Sequence, residues 1–131
     1  MIDFNEVGDY IRSNVFTEST SLNGVDIPLV FLVEKPKQIK DVDSYIVYRF
    51  SEIEGSKTIR HFIVEIVCKA KTIREVLEMR SKVIEEMDFY YKPCPFGNGY
   101  VKFCMSNEGG IYHDDIADYY TDIIYFDCKR L

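Results

Sequence analysis

Chemistry in this chain would start from its two histidines, His61 and His113. His113 runs directly into Asp114 and Asp115. An imidazole beside two carboxylates is a set that can bind a divalent cation or move a proton. Consecutive residues seldom converge on one point, however, and the neighbouring Gly109-Gly110 marks a turn. The pattern therefore reads first as a solvated acidic loop. His61 lies inside an apolar, β-branched run and reads as a structural residue at the rim of a sheet. Cys94, Cys104 and His113 lack the close ligand pair that a tetrahedral zinc site uses. There is no G-x-S-x-G elbow. Pro95-Phe96-Gly97-Asn98-Gly99 carries glycines without the Lys-Ser/Thr that makes a phosphate loop. The pairs Tyr90-Tyr91 and Tyr119-Tyr120 would need basic neighbours to stack bases, and Asp88 and Asp118 flank them instead. These patterns supply no catalytic residue, no cofactor site and no metal site, and the chain reads as a non-enzyme.

The composition narrows the classes further. The chain has 131 residues, enough for one domain spanning 1–131, with 47% hydrophobic and 29% charged residues, which are globular values. Ten Tyr and nine Phe with no Trp favour aromatic side chains packed on a sheet. The formal net charge of −6 argues against tight nucleic-acid binding, which requires a basic surface to displace counterions. No run approaches the length of a membrane-spanning helix, and the first residues do not form a signal peptide. All four cysteines lie far apart in sequence, as expected of free thiols in a reducing cytoplasm.

The elements that position these residues are legible from their periods. Asp3 to Glu6 has capping spacing, and Phe4, Val7, Ile11 and Val15 define one face of a helix over about 3–15. Gly8 weakens that helix. Asn23-Gly24 places a turn in the polar connection Ser19–Asp26. Leu29 to Val33 reads as a short strand buried on both faces, bracketed by Pro28 and Pro36. Tyr45–Phe50 and Ile59–Cys68 are strands joined by the loop Ser51–Lys57, short enough to make them antiparallel neighbours. In the second, Phe62, Val64, Ile66 and Cys68 form one row; His61, Ile63, Glu65 and Val67 form the other. Thr72 and Glu75 make a capping box for a helix to Met87, with Ile73, Val76, Leu77, Val83, Ile84 and Met87 on its apolar face. Irregular chain follows from Pro93 to Gly99. A strand from Tyr100 to Ser106 then ends in a turn at Asn107–Gly110. The last strand, Tyr119–Lys129, puts Tyr120, Ile124, Phe126 and Cys128 on one face. The class is α+β, a single domain with a mixed, mostly antiparallel sheet of about five strands and two helices, in the order α-β-β-β-α-β-β.

Arg80 breaks the apolar face of the second helix, as Glu65 breaks a row of the strand before it. Either the two form a structural ion pair, or the Arg80 stem covers the sheet edge with its head in water.

The order of elements resembles the tail-terminator, or tail-completion, proteins of long-tailed bacteriophages. The resemblance rests on Tyr45–Phe50, on Phe62 to Lys71, on the capped helix Thr72–Met87, and on a final strand Asp122–Arg130 closing the chain. It implies a structural subunit of a ring, usually a hexamer, that caps the tail tube, stops its polymerisation and docks the head connector. Partners would be further copies, the tail-tube protein and the connector. The protein would sit in the virion tail or neck after a period in the host cytoplasm. A ring needs a heterologous contact, and exposed edges and polar loops suit one. The loops Ser51–Lys57 and Asn107–Asp118 are the candidates, with Glu52, Glu54, Lys57, Glu108, His113, Asp114 and Asp115. An acidic lumen drawn from Glu52, Glu54, Asp114 and Asp115 would let DNA slide past. Two other readings stay open: a ligand- or peptide-binding module using the open sheet face, and an enzyme using His61 or His113.

Overall fold

Strand alternation decides which half of each β-rich run is buried, and the helices follow from it. The computed structural model describes residues 4–40, 42–53, 60–94 and 100–130. The elements are α1 (Phe4–Asn14), β1 (Ser19–Leu22), β2 (Val25–Pro28), β3 (Val30–Leu32), β4 (Ser44–Ile53), β5 (Arg60–Ala70), α2 (Ile73–Met87), β6 (Phe89–Pro93), β7 (Tyr100–Asp114) and β8 (Tyr119–Arg130). Six strands form one sheet in the order β3-β4-β5-β8-β7-β6, and β1-β2 stand apart as a two-stranded sheet. Neighbours are antiparallel except the parallel pair β3–β4. The class is α+β as the sequence indicates, with eight strands among the described residues rather than about five.

The extra strands have local causes. Asn23 (φ 53°) and Gly24 (φ 80°) build a tight hairpin turn that needs both residues left-handed. The "polar connection" is therefore the β1–β2 hairpin, hidden in sequence by its Ser, Thr and Asp content. β7 does not stop at Ser106. It continues to Asp114 through register shifts at Met105/Asn107 and Glu108/Ile111, and the glycines expected to turn the chain both sit in the second, with Gly110 at φ 77°. A bulge consumes the left-handed residue and lets the strand go on. Likewise β4 runs through Ser51, Glu52 and Ile53 before the candidate loop begins.

One face of the sheet is sealed. Cross-strand partners share a face, so Ile46, Cys68 and Asp122 form one tier, Tyr48, Ile66 and Ile124 the next, and Phe50, Val64 and Phe126 a third. α2 lies across this face, burying Val76, Met79, Val83 and Met87. Each such side chain contributes roughly 1.5–3 kcal/mol by leaving water. Ile73 and Leu77, expected on the same face, remain exposed on its flank. Thr72 caps the helix as its spacing predicts, its Oγ1 accepting from the Glu75 N–H at 3.2 Å. α1 covers the β3–β4 side of the same face. Gly8 is required there, because a Cβ would collide with the buried Tyr48 ring, 2.9 Å from its Cζ. Tyr10 Oη joins the helices by donating to the Glu86 carbonyl at 3.2 Å.

The proposed Arg80–Glu65 pair does not form. Glu65 sits on the opposite face and meets Arg49, its cross-strand neighbour, at 3.3 Å. Arg80 instead approaches Asp122, Nε to Oδ2 at 3.5 Å, and Asp122 is fully buried. Helix α2 covers the even-numbered row of β5, and Glu65 belongs to the odd row. A buried carboxylate next to a guanidinium is costly to disturb from one side only. Arg80→Met is expected to lower the unfolding free energy by about 3 kcal/mol or more, and Asp122→Asn in the same chain to recover much of that loss. Chemical denaturation reads both, and a loss under about 0.5 kcal/mol for Arg80→Met contradicts the pair.

Candidate assembly surfaces

The residues singled out at the His113 loop do come together, in a form set by the β7–β8 hairpin. Asp114 closes β7, and its Oδ1 accepts from the backbone N–H groups of Ile116 (3.0 Å) and Ala117 (3.2 Å). Asp118 takes φ 57°, and its N–H returns to the Asp114 carbonyl at 2.8 Å. That turn folds Asp115 and Asp118 onto the imidazole of His113. Nδ1 lies 2.8 Å from Asp115 Oδ1, and Nε2 lies 3.2 Å from Asp118 Oδ1. The ring also rests on Tyr120, with centroids 4.7 Å apart. Asp118 is the partner that sequence reading omitted, although its place at the end of the turn is the signal.

With a carboxylate on each nitrogen, the proton-bearing imidazolium is favoured. The hydrogen bond that the ring donates to Asp115 is the chief cause of a raised His113 pKa, with Asp118 adding to it against a desolvation that lowers it. The two carboxylates thus favour the charged ring, which clips Asp115 and Asp118 together across the turn. Asp114 is shifted the other way, its pKa lowered first by the Ala117 N–H and then by Ile116, Lys69 and His113 against desolvation.

The zinc pattern is taken apart by the strands. Cys104 pairs with Asp127 and His113 with Tyr120, seven positions apart along β8, or roughly 23 Å. No group of three metal-ligating side chains is gathered among the described residues. The four cysteines are free thiols. Burial, with neighbouring Cys94, Asp127 and Cys104, pushes Cys128 up to about 12. Burial likewise raises Cys68, beside Asp122. Both behave as small apolar residues.

The other candidates scatter. Glu54 and Lys57 lie outside the described residues. Glu52 is in β4, in register with Phe62, and Glu108 is in β7, in register with Ile124. His61 is in β5, opposite Ile53 and Lys129. Glu52 and the His113 turn therefore stand at opposite ends of the sheet. Phe62 and Ala70 mark those ends on β5, eight positions or roughly 26 Å apart.

The second face of the sheet is covered over only part of its area. Residues 33–40 and 42–43 lie on it and bury Ile39 and Val42 near Phe31, Tyr45 and Tyr119. The Tyr119 hydroxyl donates to the Val42 carbonyl. Beyond that strap, the Arg49–Glu65–Tyr125 tier and its neighbours Ser51 and Ile63 are half or fully exposed. The β3 edge is guarded. β3, expected to be buried on both faces, is an edge strand with Leu32 and Val33 exposed. Arg12 Nη2 donates to the Val30 carbonyl at 3.1 Å, and the Glu34 N–H closes onto the Leu32 carbonyl at 2.9 Å. The latter is a γ-turn of the rare, strained hand, with the β-branched Val33 at φ 73°. An open recess of about 400 Å³ is lined by Val15, Phe16, Glu75, Met79 and Lys82 among others.

Neither a protein-family model nor a curated protein matches this chain. No helix among the described residues is long and apolar enough to cross a membrane.

The raised His113 pKa fixes a sign. Its stabilising contribution is present below the ordinary histidine pKa near 6.5 and fades as pH rises through the higher folded value. An NMR titration of the His113 ring is expected to give a midpoint above that ordinary value, moved down by Asp115→Asn and less so by Asp118→Asn. A midpoint at or below it contradicts the clip.

Proposed function

We propose that this chain is a structural assembly protein of a long-tailed bacteriophage, a ring-forming subunit that caps the tail tube, stops its growth and helps join tail to head. One observation carries the reading most of the way. The domain seals one sheet face with two helices and leaves much of the other face, with part of one strand edge, uncovered by any described element. Such a division suits a subunit whose remaining surface is completed by neighbours. The core order α1, β3, β4, β5, α2, β7, β8 keeps the α-β-β-β-α-β-β sequence on which the resemblance rests, with β1, β2 and β6 as additions.

The placement of the acidic candidates refines the ring. Because Glu52 and the Asp114–Asp115 turn lie at opposite ends of the sheet, they cannot share one level of a lumen. In the proposed ring they mark two rims, one toward the tube and one toward the connector. Asp115 is almost fully exposed at its rim, and Ile116, 99% exposed, is the apolar tip beside it. A bare isoleucine at a turn tip suits contact with another protein.

Deleting the gene from the phage or prophage genome that carries it is the direct test. The expected result, by electron microscopy, is tail tubes of uncontrolled length without attached heads, corrected by supplying the chain in trans. Tails of normal length on infectious particles would end the proposal.

A further inference from the structure

Among the described residues, one regular strand segment has no strand on its outer side. β6 pairs with β7 only from Tyr100 to Phe103, and Asp88 Oδ1 then takes the Met105 N–H at 3.1 Å. Two bulges follow. Beyond them Ile111, Tyr112, His113 and Asp114 resume regular pairing with β8, against Asp122, Thr121, Tyr120 and Tyr119. No described strand lies on their other side. A strand edge without proline, bulge or covering element is a template for a further strand.

The chain also carries a strand that fits it. The β1–β2 hairpin is a sheet of two four-residue strands, a size that is marginal in isolation. β2 ends in Pro28, which lacks an N–H, and contains the charged Asp26; both blunt its outer edge. β1, Ser-Thr-Ser-Leu, has neither device, and Ser19 and Ser21 are exposed. β1 matches the four residues Ile111–Asp114 in length and lies on the β3 side of the molecule, since Leu29, just before β3, donates to the Glu18 carbonyl. The open part of β7 lies on the other side of the sheet. The charges agree at one end: Lys40 lines the recess beside Thr20–Leu22 while Glu18 and Asp43 stand at the Ser19 end of β1, and Asp115 and Asp118 stand at the end of the β7 segment.

We infer that β1 of one copy adds to the Ile111–Asp114 edge of the next, forming the head-to-tail contact of the ring. The inference rests on the assembly reading and specifies its interface. One surface meets a different surface on the neighbour, so the contact repeats around a ring rather than closing as a two-fold dimer. The main-chain ladder supplies affinity, while the exposed Tyr112 and the charged ends fix the register.

Engineered disulfides test it. In a Cys94→Ser/Cys104→Ser background, with Cys68 and Cys128 left buried, Ser19→Cys or Ser21→Cys is each combined with Tyr112→Cys. The chains are oxidised while they assemble, alone or on the ends of tail-tube polymers, and assembly is followed by light scattering. The expected result is a ladder of covalent oligomers from at least one pair, with each single-cysteine variant giving nothing above a dimer. Assembly without a ladder from either pair overturns this contact and leaves the assembly reading standing. Failure of the unmodified chain to assemble, alone or on tube ends, overturns both.

Discussion

The structure depends on one buried row. In β5 the residues Phe62, Val64, Ile66, Cys68 and Ala70 are all buried, and β8 sets Asp122, Ile124, Phe126 and Cys128 beside them. Both helices exist in their observed places because this row must be covered. α2 supplies four fully or nearly buried apolar side chains, and α1 comes close enough to Tyr48 that only glycine fits at position 8. Into this row the chain sets one carboxylate, Asp122, and answers it with Arg80 from α2. Apolar packing alone tolerates a helix sliding along a sheet, whereas a buried charge has one low-energy partner position. The pair therefore serves as a register pin between α2 and β8, more than as a source of net stability.

Sealing one face determines what the rest of the molecule can do. Among the described residues, the opposite face receives only the strap of residues 33–40 and 42–43, held by Ile39, Val42 and the Tyr119 hydroxyl. The sheet's edges then become the main hazard, and the chain treats them unequally. β3 is short, capped by the strained turn at Val33 and bonded by Arg12. β6 is brief, irregular and ends in proline. Bulges distort the middle of β7. Such devices suppress edge-to-edge pairing. β1 and Ile111–Asp114 hold no proline and no bulge within them, which distinguishes those two segments and links the fold to the proposed assembly. Backbone groups at both would be solvated in the isolated chain and cheap to desolvate in a ladder.

The sequence revealed the rows and helices because their periods are long and strongly patterned. It misled where one residue type serves two purposes. Gly109-Gly110 reads as a turn, yet inside a long hairpin a left-handed glycine completes a bulge and the strand continues. Asn23-Gly24 correctly marked a turn, but Ser-Thr-Ser-Leu carries no apolar alternation to announce a strand. The ion pair was legible in principle. Parity places Asp122 in the same row as Tyr120, Ile124, Phe126 and Cys128, while Glu65 falls in the alternate row of β5 and cannot reach a helix on the other side. The His113 cluster was half legible: Asp115 is adjacent, but bringing Asp118 back requires the left-handed turn that no side-chain pattern encodes.

Hydrogen exchange on the monomeric chain tests the central division most directly. Amides of β5 and β8 paired within the sealed sheet are expected to exchange only through global unfolding. The outward amides of β1 and of Ile111–Asp114 are expected to exchange many-fold faster, through local opening or none. If those two segments are as protected in the monomer as β5, their edges are already occupied, and the division between a sealed face and open edges is wrong.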